Sequence, residues 1–257
     1  MIDLIRIDRE GAVAILTIDH PPANALSQRA LAELQASLSV VGDDDGVRAL
    51  VLTGEGDRYF VAGADISEME SSLEETKIRT DSGQRLTLSM ERSRLPIIAA
   101  INGYALGGGL ELAMACDLRI ASAAAKVGQP EVNLGLIPAW GGTQRLPRLI
   151  GRGPALALLL TGDLIDANQA LRIGVVDEVV EPEELRSHAL ALAQRLAAQP
   201  PVAVAAIKRA VTDGLDRPLA EGLAAELDAF MTAAQSADGK EGVAAFLAKR
   251  PARWTGH

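Results

Sequence analysis

The part of this chain that most restricts its folding lies between residues 96 and 116. Pro96 opens an unbroken aliphatic run, Ile97–Ile101, which passes through Asn102-Gly103 to three consecutive glycines, Gly107-Gly108-Gly109, and then to a helical pattern over residues 110–116. A short apolar run bounded by turn residues reads as a buried strand. Glycines at the head of a helix let backbone N–H groups approach a ligand closely, where the helix dipole adds partial positive charge. Such a spot suits a developing oxyanion. Tight packing of helix on strand accounts for the same glycines about as well. Phosphate loops do not: Leu110-Glu111 follows the glycines where a Walker loop needs Lys-Ser/Thr. After Gly54-Glu55-Gly56 the third position is Tyr59, so the dinucleotide fingerprint also fails.

Around this segment the first third of the chain reads as α/β. Residues 4–8 and Val13–Ile18 flank Glu10-Gly11 as a hairpin, and Pro21-Pro22 ends the second strand. Ser27 caps a helix carrying Leu31, Leu34, Leu38 and Val41 on one face. Further strands are expected at residues 49–53, 118–121 and 175–180, with a polar helix at residues 84–94. From Glu183 the pattern is helical, over residues 183–198, 202–213, 219–234 and 240–250. This shift places an α/β core at residues 1–190 and a helical region at residues 191–257. With 257 residues, a substantial core forms without staples.

Composition narrows the function classes. A net charge of −9 speaks against nucleic-acid binding, and any anionic ligand then needs a local cluster of cations. The single cysteine, Cys116, forbids an intramolecular disulfide and any multi-cysteine metal site. Apolar stretches fall short of the roughly 20 residues of a membrane span, and the opening MIDLIRIDRE has no signal character. The expectation is a cytoplasmic protein without membrane or metal.

Two carboxylates stand out near the glycine turn. Glu111 falls about one helical turn after Gly108, and Glu131 follows Pro130, whose ring stiffens the approach. Each also fits an ordinary role, Glu111 as an acid offsetting a helix dipole and Glu131 as an acid at a turn. Spacing alone does not bring them together. The three histidines, His20, His188 and His257, lie beside neither a nucleophile nor a glycine turn and are assigned surface or packing roles.

Motifs in order along the chain resemble the enoyl-CoA hydratase/isomerase (crotonase) family. They are Phe60-Val61-Ala62-Gly63-Ala64-Asp65-Ile66, the segment from Pro96 through Gly107-Gly108-Gly109 to Ala113, Gly128-Gln129-Pro130-Glu131, and Gly141-Gly142-Thr143-Gln144-Arg145-Leu146. Pro22-Ala23-Asn24-Ala25-Leu26-Ser27 and Ala245-Phe246-Leu247-Ala248-Lys249-Arg250 agree as well. The resemblance implies a spiral of repeated β-β-α units with a C-terminal helical trimerisation region, assembled as a trimer or as a hexamer of paired trimers. It implies a coenzyme A thioester as substrate, no cofactor, and a place in fatty-acid β-oxidation. Carried over by position, the backbone N–H groups of Ala64 and Gly108 form an oxyanion hole, and Glu111 and Glu131 are the catalytic acids. Ala62, Gly63, Asp65, Ile66 and Gly107 belong to the CoA-binding loops, Ala62 through its carbonyl near the adenine. Phe246 and Lys249 resemble residues that close the CoA site, sometimes across a subunit boundary. Lys249, Arg250 and Arg253 form a cationic cluster for the CoA phosphates or, equally, compensate a helix end.

Both acids are present, which favours hydration of a trans-2-enoyl-CoA to the 3-hydroxyacyl-CoA. An enoyl-CoA isomerase or branched acyl-CoA hydratase of the same family is the alternative, and a non-catalytic acyl-CoA-binding scaffold is the alternative of another class. Two departures from the family pattern bear on the site: Ser67 where a basic residue is common, and Trp140 where a small residue is common.

Overall fold

The computed structural model describes residues 3–70 and 72–257, so Met1 and Ile2, which begin the alternating N-terminal segment, and Ser71 lie outside the described residues. β1 (Ile5–Glu10) and β2 (Val13–Ile18) form the expected antiparallel hairpin, with Glu10 opposite Val13. β2 then pairs in parallel with β3 (Ala49–Gly54), and the sheet continues through β5 (Ile97–Ile101), β7 (Leu118–Ser122) and β10 (Glu178–Val180). A second, smaller sheet joins β4 (Tyr59–Val61), β6 (Tyr104–Leu106), β8 (Lys126–Gly128) and β9 (Leu164–Asp166).

The connectivity between the sheets builds a spiral. β3 in the large sheet feeds β4 in the small one, and α2 (Leu73–Glu91) returns the chain to β5. β5, β6 and α3 (Gly108–Met114) repeat the step, and β7 and β8 begin it again. Each turn therefore delivers a loop from the end of a small-sheet strand to the same region. That is how segments far apart in sequence meet at one site.

The long strands are apolar throughout because both faces of the sheet are covered. Leu16, Leu50, Leu52, Ile97, Ala99 and Ile101 face the main core, while Val13, Ile15, Val51, Ile98 and Ile120 face the opposite side. That opposite side is sealed by α7 (Leu185–Ala197), which presents Leu185, Ala189, Ala193 and Ala197 at helical spacing. Each fully buried aliphatic side chain contributes about 1.5–3 kcal/mol. Residue 190 lies within α7, so the boundary expected there falls inside a helix that belongs to the sheet. The change to helix-on-helix packing comes after Ala197.

α8 (Pro201–Gly214) and α9 (Leu219–Gln235) form a hairpin, followed by α10 (Ala237–Leu247). Lys208 of α8 fastens the hairpin to the core. Its ammonium donates to the carbonyls of Met90 and Leu95 at 3.0 and 2.9 Å and to Asp117 at 2.8 Å. The C-terminal tail is tied to α10 by buried Asp238, which accepts from Thr255 N at 2.6 Å and Gly256 N at 2.9 Å. Among the described residues no single helix is long and apolar enough to cross a membrane.

Two expected elements are corrected. The helix read at residues 84–94 begins at Leu73, because Ser72 and Glu75 form a capping box: Ser72 N donates to the Glu75 carboxylate at 2.9 Å. The strand read at residues 175–180 is confined to Glu178–Val180. Gly174, left-handed at φ 84°, ends α6 (Ala167–Ile173), and Val175 N donates back to Ala170 O.

Candidate active site

Two loops ending small-sheet strands come together at the expected turn. After β4 the chain runs through Ala62, Gly63 and Ala64, and Leu26 pins it by donating to Gly63 O at 2.8 Å and accepting from Asp65 N at 3.0 Å. After β6 comes Gly107, at φ 52° and ψ −123°, directly before the first residue of α3. A Cβ at Gly63, itself at φ 114°, would lie 3.9 Å from Gly108 N, which puts the two loops side by side. Gly109 serves packing: a Cβ there would collide with Val61 of β4. The packing explanation for the glycines thus applies at Gly109. Neither Ala64 N nor Gly108 N finds a backbone acceptor among the described residues, whereas Gly107 N donates to Gly128 O at 2.9 Å. Gly108 N belongs to the first turn of α3, whose amides lack intrahelical partners.

The two acids flank this turn. Glu111, on α3, is 2% exposed and accepts on Oε1 from Trp140 N at 2.7 Å and Gly142 N at 2.6 Å. Both donors lie at the start of α4 (Gly142–Ile150), where Gly141 takes φ 114°. A Cβ at Gly142 would come within 2.7 Å of Pro138 Cβ and 3.1 Å of Glu111 Oε1, so the segment packs closely here. Oε1 is thus fixed, and Oε2 is the oxygen left for chemistry.

Glu131 is half-buried in a one-turn 3-10 helix, Pro130–Leu134. Its carboxylate lies over Gly107, where a Cβ would come within 2.7 Å of Glu131 Oε1. Fully buried Gln129 stands behind it. With its amide nitrogen turned toward the acid, the orientation that satisfies both groups, it donates to the two carboxylate oxygens at 3.1 and 3.2 Å.

Electrostatics follow from this packing. Burial pushes Glu111 up from about 4.5 to about 7, with the nearby Glu131 charge adding to the rise and the Gly142 and Trp140 amides opposing it. Burial raises Glu131 as well.

The cavity between the loops measures about 140 Å³ and is lined by Ala62, Gly63, Ala64, Ile66, Gly107, Gly108 and both acids, together with residues of α2 and the segment from Leu134 to Trp140. A volume well below the roughly 300–1,000 Å³ of sites that enclose a whole small molecule fits the reacting end of a larger substrate. Asp65 is not part of the lining. Its carboxylate turns to Ser67, accepting from the amide at 3.0 Å and the hydroxyl at 2.7 Å, and these bonds hold it below the usual carboxylate range. Arg79 lines the cavity and pairs with Glu68 at 3.6 Å. Phe246 and Lys249 are not among the lining residues. Phe246 is 83% exposed on α10, and Lys249 follows it at φ 53°. Of the late cations, Arg250 is engaged by Glu241 at 2.6 and 2.8 Å.

Gln129 and Trp140 acquire structural roles that the sequence does not announce. Gln129 was visible only as part of a motif. Trp140 was visible as a departure from one, without a direction for its ring.

The spiral, the paired loops and the flanking acids define a family. The enoyl-CoA hydratase/isomerase model matches residues 8–257, and the chain belongs to that family. It is 45% identical over 252 residues to a crotonyl-CoA hydratase of Syntrophomonas wolfei, covering 97% of each chain. It is 44% identical over 247 residues to a short-chain-enoyl-CoA hydratase of Clostridium acetobutylicum, covering 95% of this chain and 94% of the other. Among solved structures, an enoyl-CoA hydratase from Bacillus anthracis superposes with a TM-score of 0.95 at 38% identity, over 99% of this chain and 100% of that one.

Proposed function

We propose that the protein is an enoyl-CoA hydratase, adding water reversibly across the double bond of a trans-2-enoyl-CoA to give the 3-hydroxyacyl-CoA. The observation that carries this reading is the placement of two raised-pKa carboxylates, from separate segments, around a glycine turn whose Gly108 amide is unspent. The thioester oxygen lies between the N–H groups of Ala64 and Gly108. As a water oxygen bonds to C3, the π electrons move through C2 onto that oxygen, and the two amides stabilise the enolate. By comparison with other oxyanion holes, each donor contributes about 3–4 kcal/mol in the transition state. Glu111 orients the water through Oε2 and takes its proton. Glu131 delivers its own proton to C2 as the enolate collapses. The reverse reaction uses the same groups with their roles exchanged.

Hydration, rather than double-bond migration, is supported by the presence of both acids. Loss of the conjugated thioester absorbance, followed for the wild type, Glu111→Gln and Glu131→Gln, tests the reading. Turnover is expected in the wild type and a fall of about 100–10,000-fold in each variant, with acyl-CoA binding retained. Faster migration of a 3-enoyl thioester than hydration of the 2-enoyl form would favour the isomerase alternative, and binding without turnover the scaffold alternative.

The helical region is read as the surface on which copies assemble. Ile207, Val211, Leu219, Leu223, Phe230 and Leu247 are exposed there, and apolar side chains gathered on one region suit a surface between copies. Light scattering is expected to give a trimer or a multiple of it.

A further inference from the structure

We infer that the Trp140 indole is the wall that limits acyl-chain length, so that the substrate class is short-chain, crotonyl-sized enoyl thioesters. The inference rests on the hydratase reading and adds a specificity-determining residue to it.

Trp140 is 5% exposed and lines the cavity that holds both acids. Its ring bridges two glycines. A Cβ on Gly83, in the middle of α2, would collide with the pyrrole edge at Cδ1, Nε1 and Cε2. A Cβ on Gly108 would come within 2.5 Å of Cζ3 and 2.8 Å of Cε3 on the benzene edge. The indole thus spans from α2 to the residue that supplies the oxyanion donor. Gly83 makes sense only with this ring in place. It is buried inside a 19-residue helix, where glycine is among the least favourable residues, and the space it leaves is filled by the indole.

The wall is held from its backbone. Trp140 N donates to Glu111 at 2.7 Å, and Trp140 O accepts from Thr87 Oγ1 at 3.1 Å and Arg145 Nη1 at 2.6 Å. Arg145 is fixed in turn by Glu91 at 2.6 and 3.0 Å, and the adjacent Ala139 O accepts from Gln84 at 2.8 Å. Bonds to α2 and α3 on both sides fix the backbone from which the ring projects, and the close approach of Gly83 and Gly108 to its two edges confines the ring itself. An acyl chain whose carbonyl sits on Gly108 starts beside the benzene edge, so each carbon beyond C3 meets the indole in a cavity of about 140 Å³. In a closed apolar pocket, one methylene too many or too few changes kcat/KM by about 10–200-fold.

The experiment measures kcat/KM for butenoyl-, hexenoyl-, octenoyl- and decenoyl-CoA in the wild type, Trp140→Ala and Trp140→Leu, together with dissociation constants for the matching saturated acyl-CoAs. Whatever happens to absolute rates, the decenoyl-to-butenoyl ratio of kcat/KM is expected to rise at least about 10-fold in the alanine variant. The ratio of dissociation constants is expected to move the same way, and the leucine variant to fall between the two. Leucine keeps part of the apolar fill and gives the same readout should alanine prevent folding. An unchanged chain-length profile in the variants, or a wild type that handles decenoyl- as well as butenoyl-CoA, overturns the inference. Absence of acyl-CoA binding or of any hydration in the wild type overturns instead the reading on which it rests.

Discussion

Glu111 carries two separable loads, and two substitutions pull them apart. Folding keeps its proton to about pH 7 against about 4.5 for the ordinary carboxyl. Over that window the native state binds more protons than the unfolded chain, so stability contributed by this residue is full below about pH 4.5 and falls as the pH rises through about 7. At about 1.4 kcal/mol per pH unit, the loss reaches about 3 kcal/mol. Glutamine does not titrate, yet its carbonyl still accepts from Trp140 N and Gly142 N. Glu111→Gln is therefore expected to match the wild type in urea unfolding at pH 5 and to exceed it by about 3 kcal/mol at pH 8. Alanine leaves both buried amides without an acceptor, at about 1–3 kcal/mol each. Glu111→Ala is accordingly expected to lie about 2–6 kcal/mol below the glutamine variant at every pH, with protein concentration held fixed. Parallel pH profiles for the wild type and Glu111→Gln would refute the buried, proton-holding carboxyl. Equal stability of the alanine and glutamine variants would refute the two-amide grip.

Two further outcomes are expected around Glu131. Gly107→Ala places a Cβ at φ 52° and ψ −123° and within 2.7 Å of Glu131 Oε1; such a sparsely populated backbone costs an L-residue about 1–3 kcal/mol, and kcat should fall at least about 10-fold through displacement of the acid, read by steady-state kinetics and thermal melting. Gln129→Leu removes the amide that favours the ionised form of Glu131, so the pH dependence of kcat assigned to that acid should move upward and kcat should drop, whereas a merely structural glutamine would leave the pH profile where it was.

The legibility of this molecule followed the range of the interactions involved. β2, β3 and β5 are buried on both faces, so their apolar runs announce them, and Ser27 announces α1 (Gln28–Asp43) by accepting from Ala30 N at 3.1 Å. The strands of the small sheet are three residues each and paired across long separations, as Tyr104 with Tyr59, leaving no local period to read. The start of α2 did carry a local sign, Ser72 with Glu75 three residues on, but its polar first turns obscure the apolar face. Glu111 and Glu131 were legible as acids near a glycine turn, but their meeting depends on three-dimensional closure of the spiral. The position of the Trp140 ring depends on that closure too, since it is set by Gly83 and Gly108 from other turns, whereas Gln129 finds Glu131 only two residues on. Phe246 and Lys249 matched a motif of the family, but neither lines the cavity of the same chain.

A crystal structure with an unreactive saturated thioester, butyryl-CoA, puts the central geometry to the most direct test. The thioester oxygen is expected within about 3.1 Å of both Ala64 N and Gly108 N, with the C2–C3 bond lying between the Glu111 and Glu131 carboxylates. A thioester oxygen bound to other groups, or both carboxylates on one side of the chain, would contradict it.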